Sequence, residues 1–80
     1  MSSYYVQYSD RARNEYNAMP AALRRSFDAA VNDMARDPYA HGAPIRGDKD
    51  RRSASLAGVI TEYEVSSGVL VVTMLKVVAL

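Results

Sequence analysis

The sequence contains no cysteine. That excludes a disulfide framework and a thiolate metal site, and it fits a reducing compartment. No signal peptide is expected either, since Met1-Ser2-Ser3-Tyr4-Tyr5 has neither a basic n-region nor an apolar h-region. The longest apolar run, Val69 to Leu80, is interrupted by Thr73 and Lys76. It falls short of the roughly 20 residues that a membrane-spanning helix needs. There is no internal repeat, linker or low-complexity segment. A formal net charge of +1 provides no global field to recruit nucleic acid. The expectation is one small cytoplasmic domain covering residues 1–80, with no membrane partner. A chain of 80 residues buries only about 60–65% of its unfolded surface, so its stability should be modest.

What is present is patterned. "YYVQY" alternates, with Tyr4, Val6 and Tyr8 on one face and Tyr5 and Gln7 on the other, which predicts a strand. Ser9 offers an N-cap oxygen, and Asp10 sits in the first turn near the positive end of the helix dipole. Ala12, Tyr16 and Met19 then share a helix face. Pro20 ends that helix and suits the first position of the next. Leu23, Phe27, Ala30, Val31 and Met34 form one stripe of a second helix, with Arg24, Arg25, Asp28, Asn32 and Asp33 opposite. Asp37-Pro38 closes it. Two helices joined so tightly predict an antiparallel hairpin.

"DPYAHGAPIRGD" reads as a loop punctuated by Gly42, Pro44 and Gly47. Strand patterns return from Arg51 to Ala57 and from Val59 to Val65. "SSG" at Ser66 to Gly68 predicts a tight turn, and Val69 to Leu80 the last strand. That strand is apolar on both faces, the mark of a central or covered strand. The predicted fold class is therefore α+β, in the order β-α-α-β-β-β. A helical hairpin packs on one face of a small, mostly antiparallel, four-stranded sheet.

This arrangement resembles the RelE/ParE superfamily of toxins from type II toxin–antitoxin systems over nearly the whole chain. The residues that carry the resemblance are "YYVQYSDRARNEYNAMP", "LRRSFDAAVNDMARDP", "IRGD" and "AGVITEYEVSSGVLVVTMLKVV". The resemblance implies a cognate antitoxin as partner and no metal or other cofactor. For RelE-type members it implies metal-independent, ribosome-dependent mRNA cleavage, which translation inhibition would follow. That chemistry needs a base for the ribose 2′-OH, an acid for the leaving oxygen and cations for the phosphorane. Most of the family's set is missing here. Its Gly-Tyr-Arg arginine falls on Ile60, the aromatic before it on Val59, and its late basic pair on Ala79 and Leu80. The chain stops there, so the expectation is that the catalytic tail has been dropped.

Only the cluster Arg46, Lys49, Arg51 and Arg52 remains as a candidate catalytic and nucleic-acid-binding set, with Asp48 and Asp50 against it. If Val59, Thr61, Tyr63 and Val65 face the helices, Ile60, Glu62 and Glu64 face the open side. The same parity adds Val72, Met74, Lys76, Val78 and Leu80 to that side. Such a surface is largely aliphatic, and phosphodiesters gain little from it. Ile60, Glu62, Met74, Lys76, Val78 and Leu80 are therefore the candidate protein-binding residues. Three readings stay open: an mRNA-cleaving toxin, a non-nuclease toxin that binds a protein such as DNA gyrase, and a degenerate homologue that only binds antitoxin. His41, the sole histidine, has a suitable pKa for acid–base work but no evident partner in its loop. The Tyr4, Tyr5, Tyr8 and Tyr16 cluster reads first as packing and second as base stacking. Glu62 and Glu64 read as a solvated or Lys76-paired face, Met19 and Met34 as core, and the Arg46-Gly47-Asp48 tripeptide as coincidence.

Overall fold

The computed structural model describes residues 3–79. Their order is β1 (Tyr5–Tyr8), α1 (Asp10–Asn17), α2 (Ala21–Met34), a 3-10 turn (Pro38–Ala40), β2 (Ala43–Ile45), β3 (Asp48–Leu56), β4 (Val59–Ser66) and β5 (Val71–Val78). The strands form one sheet in the order β1-β5-β4-β3-β2. Every pairing is antiparallel except β1 with β5, which is parallel. The class is α+β as predicted, with five strands instead of four. The extra strand is β2, inside the segment read as loop. Three residues between Gly42 and Arg46 carry no period-two signal, and β2 exists because β3 is there to pair with it.

The local signals operate as physics requires. The Ser9 side chain accepts from the Ala12 N–H at 3.1 Å and caps α1. Pro20 stands at the N-cap of α2, one position earlier than expected. Phe27, Val31 and Met34 bury the α2 stripe, and Leu23 and Ala30 are half-buried beside it. On the sheet, Val59, Thr61, Tyr63 and Val65 are all buried on the helix side. Tyr63, Phe27, Met34 and Met74 are the largest fully buried side chains. Burying an apolar side chain of this size contributes about 1.5–3 kcal/mol. β5, apolar on both faces, is central between β1 and β4.

Aromatic contacts tie the helices to β1. Tyr8 and Tyr16 have ring centroids 5.4 Å apart, and Tyr16 and Phe27 lie at 6.0 Å. The Tyr16 hydroxyl donates to the Asp28 carboxylate at 2.8 and 2.9 Å, linking α1 to α2. Burial pushes the Tyr8 phenol up to about 12, with Asp28 and Tyr16 adding to the rise and the Arg13 guanidinium opposing it. Of the four early tyrosines only Tyr5 stands out in solvent, at 68% exposure.

The β4–β5 register contains a bulge. Glu62 pairs with Lys76 but Tyr63 pairs with Met74, so Leu75 is the extra residue. Parity along β5 flips there. Val72 and Met74 point into the core, at 0% exposure, while Lys76 and Val78 point to the open side. This corrects the expectation for Val72 and Met74, which counted straight through the bulge. The last strand is also shorter than predicted, because Val69 and Leu70 belong to the turn and are exposed. Leu80 lies outside the described residues. Among the described residues no helix is long and apolar enough to cross a membrane.

Candidate functional site

The sheet face away from the helices is the candidate site. Its geometry follows from strand register, which lays residues in rows across the strands. One row is Gln7, Thr73, Glu64 and Arg51; the next is Lys76, Glu62 and Ser53; the last is Val78, Ile60 and Ser55. In the first row Gln7 Nε2 donates to Thr73 Oγ1 at 2.8 Å, and Arg51 Nη2 lies 3.9 Å from Glu64 Oε2. In the second, Lys76 Nζ lies 3.9 Å from Glu62 Oε2. The third row is aliphatic, with Ile60 42% exposed. Both ion pairs are solvated, and pairs of this kind contribute about 0–1 kcal/mol. Their consequence is electrostatic: two cations and two carboxylates alternate, so a phosphate approaching Arg51 or Lys76 also meets Glu64 or Glu62.

Beside Val78, a shallow cavity of about 340 Å³ opens between the end of α1 and the end of β5. Glu15, Met19, Pro20, Val77, Val78 and Ala79 line it. There β5 has run past β1, and the Val77 N–H donates to Glu15 Oε1 at 3.0 Å in place of a strand partner. The aliphatic row and this cavity together make a continuous apolar end to an otherwise polar face.

The four cations that the sequence gathers are not brought together. Arg46 stands at the tip of the β2–β3 hairpin with φ +54° and is exposed. Lys49 pairs with Asp50 at 3.1 Å and lies over the Tyr39 ring. The Tyr39 hydroxyl donates to the same Asp50 carboxylate at 2.6 Å. Those hydrogen bonds, Tyr39 first and Lys49 second, hold Asp50 below the usual carboxylate range and raise Tyr39 and Lys49. Only Arg51 reaches the open face.

Arg52 corrects the expectation most sharply. It shares strand parity with Ala54 and Leu56, so it points to the helix side and is only 7% exposed. Its Nε donates to the His41 carbonyl, Nη1 to that of Lys49, and Nη2 to that of Tyr39, each at 3.1 Å, with a longer bond from Nη2 to Gly42. The buried Tyr63 hydroxyl is shared between the carbonyls of Pro38 at 2.8 Å and His41 at 3.1 Å. The loop from Pro38 to Gly42 lacks a ladder of its own, and these two side chains supply the donors its carbonyls need. A guanidinium so occupied cannot grip a phosphate. His41 contributes its backbone to this arrangement. The "RRSASL" alternation places Arg52 inside, and that was the signal available in the sequence.

No family model matches the sequence, and no curated protein matches it either. Solved structures do match. The chain is similar to one in the RelBE2 toxin–antitoxin complex of Mycobacterium tuberculosis, with a TM-score of 0.84 at 22% identity, covering 99% of this chain and 100% of that one. It is similar to the isolated RelE toxin of E. coli, with a TM-score of 0.80 at 21% identity, covering 94% of this chain and 82% of that one. It is similar to a chain of the archaeal RelE–RelB complex from Pyrococcus horikoshii, with a TM-score of 0.76 at 20% identity, covering 95% and 93%. This chain therefore has the RelE fold.

Proposed function

We propose that this chain is the toxin component of a type II toxin–antitoxin pair, acting in the cytoplasm and held inactive by a cognate antitoxin. The observation that carries the reading is the end-to-end likeness to a chain of a toxin–antitoxin complex, at a TM-score of 0.84 with both chains covered almost completely. The antitoxin's contact is assigned to the open face at Ile60, Glu62, Lys76 and Val78, where apolar area and paired charges stand ready for a protein surface.

The charge balance of that face favours binding over cutting. Phosphodiester affinity comes from cations that neutralise phosphates. Here Arg51 and Lys76 are matched by Glu64 and Glu62, and Arg52 is withdrawn into the core. A non-nuclease action on a protein target such as gyrase is thus the preferred mode. Ribosome-dependent mRNA cleavage, with Arg46, Lys49 and Arg51 as the remaining cations, is the competing one.

Expression of the chain alone, and together with the product of any small open reading frame that adjoins its gene, tests the reading. Growth arrest relieved by the co-expressed neighbour is the expected result. Ile60→Glu with Val78→Glu should break the complex while leaving the circular dichroism spectrum unchanged. Codon-phased mRNA cuts in a translating extract, lost on Arg51→Ala, would select the competing mode. Absence of both arrest and a complex would refute the proposal.

A further inference from the structure

The two outer edges of the sheet are built differently. β2 is three residues long, contains Pro44, and loses register with β3 between Pro44 and Ile45. Brevity, proline and irregular pairing all blunt an edge against further strands. β1 is also short, at four residues, but it lacks the other two devices: Tyr5-Val6-Gln7-Tyr8 carries no proline, glycine or charge and pairs with β5 in unbroken register.

β1 pairs only with β5. In a parallel ladder the N–H and C=O of one residue point the same way, and successive residues point opposite ways. The Tyr5 N–H donates to Leu70 and the Ser9 N–H to Met74, each at 2.9 Å. Residues 5, 7 and 9 therefore face β5, while Tyr4, Val6 and Tyr8 face outward. The Tyr4 N–H is taken by the Ala35 carbonyl at 2.9 Å, which closes that end. Val6 and Tyr8 have no main-chain partner on the outer side among the described residues. Four strong hydrogen-bonding groups thus line an uncharged edge.

We propose that a second copy of this chain docks its own β1 there, antiparallel, across a two-fold axis at Gln7. In that register Val6 of each copy exchanges both main-chain bonds with Tyr8 of the other, and the four outer groups of Val6 and Tyr8 are consumed. Gln7 meets its own counterpart as the close, non-hydrogen-bonded pair. A two-fold at Val6 is excluded, because it would set the second copy's Tyr8 against Tyr4, where Ala35 already sits. The occupant follows from self-complementarity: the same short edge supplies matching donors and acceptors, and no like charges meet across the axis. So small a contact gives a weak, concentration-dependent dimer.

The sequence has no cysteine, so Gln7→Cys introduces a single thiol. Cα atoms of a non-hydrogen-bonded pair lie about 4.5 Å apart, within disulfide reach. Under mild oxidation, Gln7→Cys should form a linked dimer about tenfold faster than Ser55→Cys, an exposed control on the open face. Sedimentation of the unmodified chain up to millimolar concentration should show the mass rising from 8.8 kDa toward twice that value. Gln7→Lys, which opposes two like charges, should raise the dissociation constant about tenfold with unchanged circular dichroism. A monomer at every concentration, equal crosslinking at the two thiols, or a dimer indifferent to Gln7→Lys would each overturn the proposal.

Discussion

Arg51 and Arg52 are neighbours in the chain and live on opposite faces of the sheet. Arg51, on the open face, meets Glu64 at 3.9 Å and remains exposed. Arg52, on the helix face, is buried and spends its donors on four backbone carbonyls. No carboxylate among the described residues pairs with it within 4.0 Å. The contrast teaches that a run of basic residues is not a basic site. Strand parity divides the run, and each face then decides what its share of the charge can do. On the inner face the guanidinium organises a loop; on the outer face it is neutralised by its neighbour.

The largest effect that can break this comparison is expected at Arg52. Arg52→Ala leaves four part-buried carbonyls without this donor and should cost about 2–4 kcal/mol in denaturant unfolding. Arg52→Lys should recover little, because an ammonium cannot span the same carbonyls. A loss below about 1 kcal/mol would show that the loop holds itself. Next comes Gly42, at the end of that loop with φ +62°. A Cβ there would run into the Ser53 carbonyl oxygen and the Ala54 side chain. Gly42→Ala should cost about 2–4 kcal/mol, read in the same experiment.

The bulge at Leu75 sharpens the comparison along one strand. Met74→Ala empties a fully buried site and should cost about 2–4 kcal/mol. Lys76→Ala, two residues on and facing outward, should stay within about 0.5 kcal/mol. Equal effects would mean that the parity does not flip. Alkaline pH gives a smaller, graded effect. The Tyr8 phenol is raised in the folded state, to about 12 from a reference of 10.0. Its contribution is complete below pH 10 and is lost as pH climbs through the window to about 12. Tyr8→Phe should flatten the fall in thermal stability across that window. The smallest effect is expected at Arg51→Ala, within about 0.5 kcal/mol, the value of a solvated ion pair.

Much of this could be read along the chain. Phe27, Val31 and Met34 repeat at helical spacing, Ser9 stands where a cap must stand, and Val59 to Val65 alternates without interruption. Each signal involves residues within one or two turns of each other, so local periodicity reveals it. The candidate site was legible in half. Ile60, Glu62, Lys76 and Val78 face outward as their alternation requires. Met74 does not, since one inserted residue in a bulge reverses parity and leaves no mark in composition. The Tyr39–Asp50 bond and the Glu15 carboxylate on the Val77 N–H were illegible for another reason. They join groups distant in sequence, whose approach depends on the register of strands.

By itself the sequence determined both helices and four of the five strands, which stripe of each is apolar, and that the last strand is central in the sheet. Burial free energy follows side-chain type and spacing, and both are written in the order of residues. Only the tertiary structure decided where β2 would pair, where β5 would bulge and which arginine would be drawn inside. Those outcomes depend on hydrogen bonds between distant backbone groups, and a linear pattern does not specify their partners.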